Sequence, residues 1–180
     1  MVKRTVLVGV ILVAASSVGL LAARRHTPVP APAPVVALDT EQGLIEFELY
    51  PQDAPKSVDR ILTLVKQDFY RGQRFHWVTG SVIQIGDPQS RNMLLQPEWG
   101  RKGTGTPIGV AEFSKRSFTR GAVGMAWLGD ATKADSQFFI TKVDSTNLDG
   151  KYTMIGRVTK GMAIVDKIEV CDLLKIATVK

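Results

Sequence analysis

The stretch 45–49 most constrains the fold of this chain, because its apolar and charged side chains alternate strictly. Glu46 and Glu48 separate three apolar residues, so an extended strand would carry all the apolar side chains on one face. Such alternation is typical of a strand with one face in a core and one in solvent. With the preceding segment 36–39 and the turn residues 40–43, it predicts a β-hairpin.

The period of the pattern then changes from two residues to three or four. Pro55 follows Asp53 at a typical helix start. The apolar stripe of this predicted helix consists of Val58, Ile61, Leu62 and Val65. Later strands are predicted at 121–128, 137–143, 152–158 and 173–179, with a short helix at 161–168. Many strands and few helices favour a mainly β fold, a closed or nearly closed antiparallel β-barrel.

The N-terminal residues 1–25 differ from the rest of the chain. Residues 6–23 are uncharged and largely apolar, and as a helix they would be about 27 Å long, close to the ~30 Å hydrocarbon core of a bilayer. Their length favours an uncleaved membrane anchor over a cleaved signal peptide, whose apolar core is usually about 7 to 15 residues. Cleavage stays open as the alternative, because small residues at 15–17 resemble a cleavage site.

A proline-rich segment follows the apolar run. Within residues 26–36, every second position from 28 to 34 is proline, which predicts an extended spacer. A folded domain is therefore predicted over residues 37–180. An exported or membrane-anchored protein, with this domain on the extracytoplasmic side, is the localisation that the segments predict.

The formal charge of +6 does not indicate nucleic-acid binding. Lys3, Arg4, Arg24 and Arg25 flank the apolar run, and removing these four leaves 19 basic against 17 acidic residues. The excess charge therefore belongs to the N-terminal segment rather than to the predicted domain. A single cysteine and two histidines exclude an intrachain disulfide and argue against a metal site.

Several side chains are candidates for a site on physical grounds alone. Gln84 and Gln137 lie on predicted strands beside apolar neighbours, where a buried amide needs hydrogen-bond partners. Phe138 and Phe139 are adjacent, so one ring faces the core and the other the opposite side of the sheet. The second ring is a candidate groove floor. Solvent-facing glutamines and ordinary sheet packing are the structural alternatives.

The chain resembles the cyclophilin family of peptidyl-prolyl isomerases. The matching segments, in family order, are residues 45–58, 69–76, 84–88, 120–126, 135–140 and 148–158. The resemblance implies a closed eight-stranded antiparallel barrel capped by two α-helices. It also implies rotation of X-Pro peptide bonds in unfolded or flexible proteins, without a cofactor.

In this family an apolar pocket holds the proline ring and an arginine donates hydrogen bonds near the prolyl nitrogen. The resemblance assigns substrate binding to Phe75, Val82, Ala126, Gln137, Phe139, Leu148 and Tyr152. It assigns catalysis to Gln84, which helps to orient the arginine, and to whichever residue occupies the arginine position.

The chain departs from the family at the arginine. The span from Phe75 to Gln84 is one residue shorter than in the family, so alignment from the left places Trp77 at the arginine position and alignment from the right places His76 there. Ser81 also replaces a pocket phenylalanine. One residue reverses strand parity, so the two alignments predict different side chains in the groove.

These departures leave two functional hypotheses. The first is an isomerase that assists the folding of extracytoplasmic proteins with weakened catalysis. The second is a non-catalytic module that binds proline-containing peptides or acts in assembly. In either case the predicted partners are proline-containing segments, together with the membrane through the N-terminal apolar run.

Overall fold

A computed structural model describes residues 32–180, so the predicted anchor, its cleavage site and most of the spacer lie outside the described residues. The strands are β1 (Val35–Thr40), β2 (Gly43–Leu49), β3 (Trp77–Val78), β4 (Val82–Ile85), β5 (Ala122–Met125), β6 (Phe138–Thr141), β7 (Met154–Lys160) and β8 (Leu174–Val179). The helices are α1 (Pro55–Lys66) and α2 (Met162–Lys167). Short 3-10 turns occupy Pro88–Arg91, Met93–Glu98, Ala131–Lys133 and Thr146–Leu148. The prediction of a mainly β chain with two helices is confirmed.

All eight strands form one antiparallel sheet in the order β3-β4-β6-β5-β7-β2-β1-β8. The two sheet ends meet through the segment before β3: Arg74 forms an isolated bridge with Leu173, and Gly72 and Gln73 form backbone hydrogen bonds with Leu174 at 2.9 and 2.8 Å. The amide of Phe75 adds a hydrogen bond to the carbonyl of Asp172, at 3.0 Å. The predicted closed barrel is therefore a strongly curled sheet with a seam, because β3 is only two residues long and cannot form a full ladder with β8.

The core lies inside the curled sheet. The apolar residues of β2, which alternate with Glu46 and Glu48, are fully buried. Helix α1 packs against β8, and α2 packs against β2. The predicted stripe of α1 is rotated slightly, because Leu64 is buried while Leu62 is only partly buried.

A remote carboxylate caps α1. Ala54, at the cap position, has no side-chain acceptor, and Glu112 of the long loop between β4 and β5 takes this role. Its Oε1 accepts from the amide of Lys56 at 3.0 Å, and its Oε2 accepts from the amide and hydroxyl of Ser57 at 2.8 and 2.7 Å. These bonds satisfy amides that a helix leaves open at its start. The part of the long loop around Glu112, which is in neither a helix nor a strand, is thereby attached to helix α1.

No helix within residues 32–180 is both long and apolar enough to cross a membrane.

Candidate active site

Two glutamine side chains form the centre of the site. Gln84 lies on β4, and Gln137 immediately precedes β6, which pairs with β4. Gln84 Nε2 donates to Gln137 Oε1 at 2.8 Å. Gln137 Nε2 donates to the carbonyls of Gly100 and Lys102, at 3.0 and 2.8 Å. Since carbonyl oxygens only accept, these bonds fix the orientation of both amides.

His76 completes the hydrogen bonds of Gln137. Its Nε2 lies 3.1 Å from Gln137 Oε1, which only accepts, so the ring carries its proton on Nε2. Burial lowers the pKa of His76 from its ordinary value of 6.5, and the nearby charge of Asp87 opposes this shift without cancelling it. The imidazole is therefore neutral at pH 7. Its only N–H is committed to Gln137, so His76 positions the amide pair.

Trp77 lies directly opposite Gln84 in the pairing of β3 with β4. The amide of the preceding His76 also donates to the carbonyl of Gln84, at 3.2 Å. Two consecutive residues thus face one residue of the partner strand, which is the arrangement of a β-bulge. The two alignments of the sequence treated Trp77 and His76 as exclusive alternatives. The bulge instead places both residues opposite Gln84: His76 Nε2 lies 3.5 Å from Gln84 Nε2, and Trp77 is 59% exposed.

An apolar patch lies beside the amide pair. Its buried members include Phe139, opposite Gln84 across β4 and β6, and Ala126. Val82, Leu148 and Tyr152 are partly buried and pack on the same cluster. The rings of Phe139 and Tyr152 meet edge to face with their centroids 5.4 Å apart. These are five of the seven residues assigned to substrate binding from the sequence.

The other two assigned residues have different roles. Phe75 is fully buried in the main core and offers no surface to a peptide, so its assignment to substrate binding is corrected. Phe75 precedes the bulge, and its ring points into the barrel. Gln137 is 8% exposed, and both polar atoms of its side chain form hydrogen bonds within the protein. Its side chain therefore supports Gln84 rather than contacting a peptide.

Trp127 is a site residue that sequence reasoning missed. Its ring stacks on Tyr152 at a centroid distance of 5.1 Å and an interplanar angle of 22°. Its buried Nε1 has no hydrogen-bond partner among residues 32–180. The signal in the sequence was an aromatic residue two positions after the end of β5, in a loop composed mostly of small and charged residues.

A glycine on β5 allows the patch to pack. A Cβ on Gly124 would lie 2.5 Å from the Phe139 ring and 2.7 Å from the Phe118 ring. These two rings stack with centroids 5.7 Å apart. Only a residue without a side chain permits this close approach of strand and rings.

A cavity of about 300 Å³ adjoins the patch and the amide pair. Gln84 and Ala126 belong both to its lining and to the site already described. The rest of its wall comes from the loops at 100–107 and 127–136. The described part of the chain contains no group of three or more His, Cys, Asp or Glu residues arranged to hold a metal ion.

Comparisons with known proteins agree on one family. The family model described as cyclophilin type peptidyl-prolyl cis-trans isomerase/CLD matches residues 35–179. A probable peptidyl-prolyl cis-trans isomerase of Brucella suis is 43% identical over 142 residues, which cover 77% of this chain and 72% of that protein. A peptidyl-prolyl cis-trans isomerase of Helicobacter pylori is 36% identical over 141 residues, covering 77% and 82%.

The fold comparison gives the same family. The crystal structure of a Cryptosporidium parvum cyclophilin type peptidyl-prolyl cis-trans isomerase aligns with a TM-score of 0.70 and 25% identity. The alignment covers 82% of this chain and 98% of that one. A second structure of the same protein, in the presence of the dipeptide Ala-Pro, also aligns with a TM-score of 0.70, at 24% identity over 81% of this chain and 98% of that one.

Proposed function

Because the chain belongs to the cyclophilin-type peptidyl-prolyl cis-trans isomerase family, we propose that it rotates X-Pro bonds in flexible or unfolded segments of extracytoplasmic proteins, with weakened catalysis. The observation that carries this proposal is the apolar patch around Phe139 beside the fixed amide of Gln84. The patch accepts the proline ring, and Gln84 provides a polar group at its edge.

The reaction makes a limited chemical demand on the protein. Rotation of an X-Pro bond has a barrier of about 20 kcal/mol and takes tens of seconds without a catalyst. Twisting breaks the amide resonance and leaves a lone pair on the prolyl nitrogen. An apolar surface favours the less polar twisted amide, and a hydrogen-bond donor aimed at the nitrogen stabilises the transition state more than the ground state.

Trp77 provides the donor in this proposal. The N–H of His76 is committed to Gln137, whereas Trp77 pairs with Gln84 across β3 and β4 and is largely exposed. An indole is neutral, and hydrogen bonds from a charged donor such as arginine are roughly twice as strong. Loss of one transition-state donor lowers rates by about 100- to 1000-fold. The proposed activity is therefore weak, with part of this loss recovered by the indole.

A non-catalytic peptide-binding module is the second candidate. The replacement of the family arginine, and the exposed Ser81 in place of a pocket phenylalanine, favour this alternative. The apolar patch would then bind proline without accelerating rotation.

Exchange NMR on a short Ala-Pro peptide separates the two. With the full-length protein, we expect cis–trans exchange faster than in peptide alone, together with shifts of the proline resonances. Shifts without faster exchange would establish the binding module and overturn the isomerase. The absence of both effects at millimolar peptide would overturn both candidates.

We also propose that the protein is exported and held at a membrane with its domain on the extracytoplasmic side. The uncharged run at residues 6–23 between basic pairs supports this localisation. Mass spectrometry of the protein from its native membrane fraction tests it: an intact N-terminus in that fraction is expected. A mature N-terminus at or before residue 24 in the soluble fraction would exclude retention by this segment.

A further inference from the structure

The cavity of about 300 Å³ next to the amide pair is placed to receive a side chain of a bound peptide. It shares Ala126 with the proline-binding patch and both glutamines of the amide pair, so the two surfaces are continuous. An extended peptide advances about 3.3 Å per residue. A residue one or two positions from the proline therefore reaches the cavity when the proline lies on the patch.

The charges of the cavity wall are mostly basic. Arg101, Lys102 and Lys133 line it, and Asp135 is the one acidic side chain in the lining. Asp135 is committed to its own loop: Oδ1 accepts from the Thr104 hydroxyl at 2.6 Å, and Oδ2 accepts from the amide of Gly105 at 2.9 Å. Its carboxylate therefore stabilises the loop and keeps its negative charge, which stands against the three positive charges of the lining.

One of the three basic side chains has no ion-pair partner. Arg101 pairs with Glu98 at 2.8 Å and Lys133 with Asp130 at 3.6 Å, so their charges are partly offset by carboxylates outside the cavity lining. The ammonium of Lys102 makes no ion pair within residues 32–180. The lining thus holds three basic side chains against one acidic side chain, and Lys102 carries its one uncommitted ammonium.

From this arrangement we infer that the cavity selects peptides carrying an acidic side chain within two residues of the proline. The inference rests on the proposed function, since the proline must first occupy the patch. A glutamate carboxylate in the cavity pairs with Lys102, whereas an isosteric glutamine gains no charge interaction and a lysine is repelled.

The test compares Kd values for matched peptides by isothermal titration of the full-length protein. Each pair has an Ala-Pro centre and differs only by Glu or Gln at one of the four positions within two residues of the proline. We expect the Glu peptide of at least one pair to bind about two- to fivefold more tightly, the range of one exposed ion pair. The preference should disappear in about 0.5 M salt.

Reversal of one charge sharpens the test. In Lys102→Glu, the ratio of the two Kd values should invert in favour of the Gln peptide. Lys66→Glu, on helix α1 outside the cavity lining, makes the same change in net charge and is the matched control, in which the ratio should be retained.

Two results would overturn the inference. Equal Kd values for Glu and Gln peptides at all four positions would do so while leaving the proposed function intact. Equal loss of the preference in Lys66→Glu and Lys102→Glu would assign it to net charge instead of to the cavity. Failure of every peptide to bind would overturn the proposed function as well.

Discussion

At the scale of single residues, Trp77 is the proposed donor of the groove. It lies opposite Gln84 in the pairing of β3 with β4, and alignment of the sequence from Phe75 places it at the position of the family arginine. We expect Trp77→Arg to raise kcat/KM by about 10- to 100-fold, because a guanidinium returns a charged donor to the prolyl nitrogen. Exchange NMR or a protease-coupled assay on an Ala-Pro peptide measures the effect.

Trp77→Phe is the control for that substitution. It keeps an aromatic ring and removes the N–H, so kcat/KM should fall below the wild-type value. If arginine gives no gain and phenylalanine no loss, the residue at position 77 does not supply the donor.

His76 makes the stability of the fold depend on pH. Because burial lowers its pKa from 6.5, the unfolded chain binds a proton more readily than the folded one. The contribution of His76 to the free energy of unfolding is therefore complete above pH 6.5 and is lost as the pH falls towards the folded-state pKa. We expect the difference in unfolding free energy between wild type and His76→Gln to narrow from about pH 7 to about pH 5.

Urea denaturation at the two pH values measures this difference. Carboxylates that titrate in the same range affect both proteins equally, so the comparison isolates His76. A difference that stays constant or widens at the lower pH contradicts the buried, neutral imidazole.

At the scale of elements, the long loop between β4 and β5 stabilises both the first helix and the site. Glu112 caps α1 with three hydrogen bonds. We expect Glu112→Ala to lower the free energy of unfolding by about 1–2 kcal/mol, as for the loss of a helix cap. Glu98→Ala, which removes an exposed ion pair with Arg101 in the same loop, should cost less than about 0.5 kcal/mol.

Urea unfolding curves of the two variants test the cap. Equal losses in both would mean that Glu112 acts only as a surface charge. The same loop carries the carbonyls of Gly100 and Lys102 that hold Gln137. Glu112→Ala is therefore expected to weaken peptide binding less than changes that displace the carbonyls of Gly100 and Lys102.

At the scale of the whole molecule, the regular elements were predictable from sequence because their periodicity is local. The alternation around Glu46 and Glu48 predicted β2, and the switch of period at Pro55 predicted α1. The seam of the barrel was not predictable, since it depends on β3 being two residues long. The hydrogen-bond partners of Gln137 Nε2 were also not predictable from the sequence, because they are backbone carbonyls some 35 residues away in the chain.

The prediction that successive side chains alternate between the two faces of a strand failed where the strand is irregular. A bulge at His76 and Trp77 places both residues opposite Gln84, although simple alternation puts them on opposite faces. Trp127 was missed for a related reason, because it lies in a loop where no periodicity indicates the direction of a side chain. The residues of the apolar patch on regular strands, such as Val82 and Phe139, were the easiest to assign.

The positions of the tryptophans make the intrinsic fluorescence of the protein sensitive to peptide binding. Of its three tryptophans, Trp77 pairs with Gln84 and is 59% exposed, and Trp127 is stacked on Tyr152. Trp99 is bonded through Nε1 to the carbonyl of Asn92 in the long loop, at 3.2 Å. A peptide that covers Trp77 removes water from its ring and shifts its fluorescence emission to shorter wavelengths. The binding of unlabelled peptides can therefore be followed by tryptophan fluorescence.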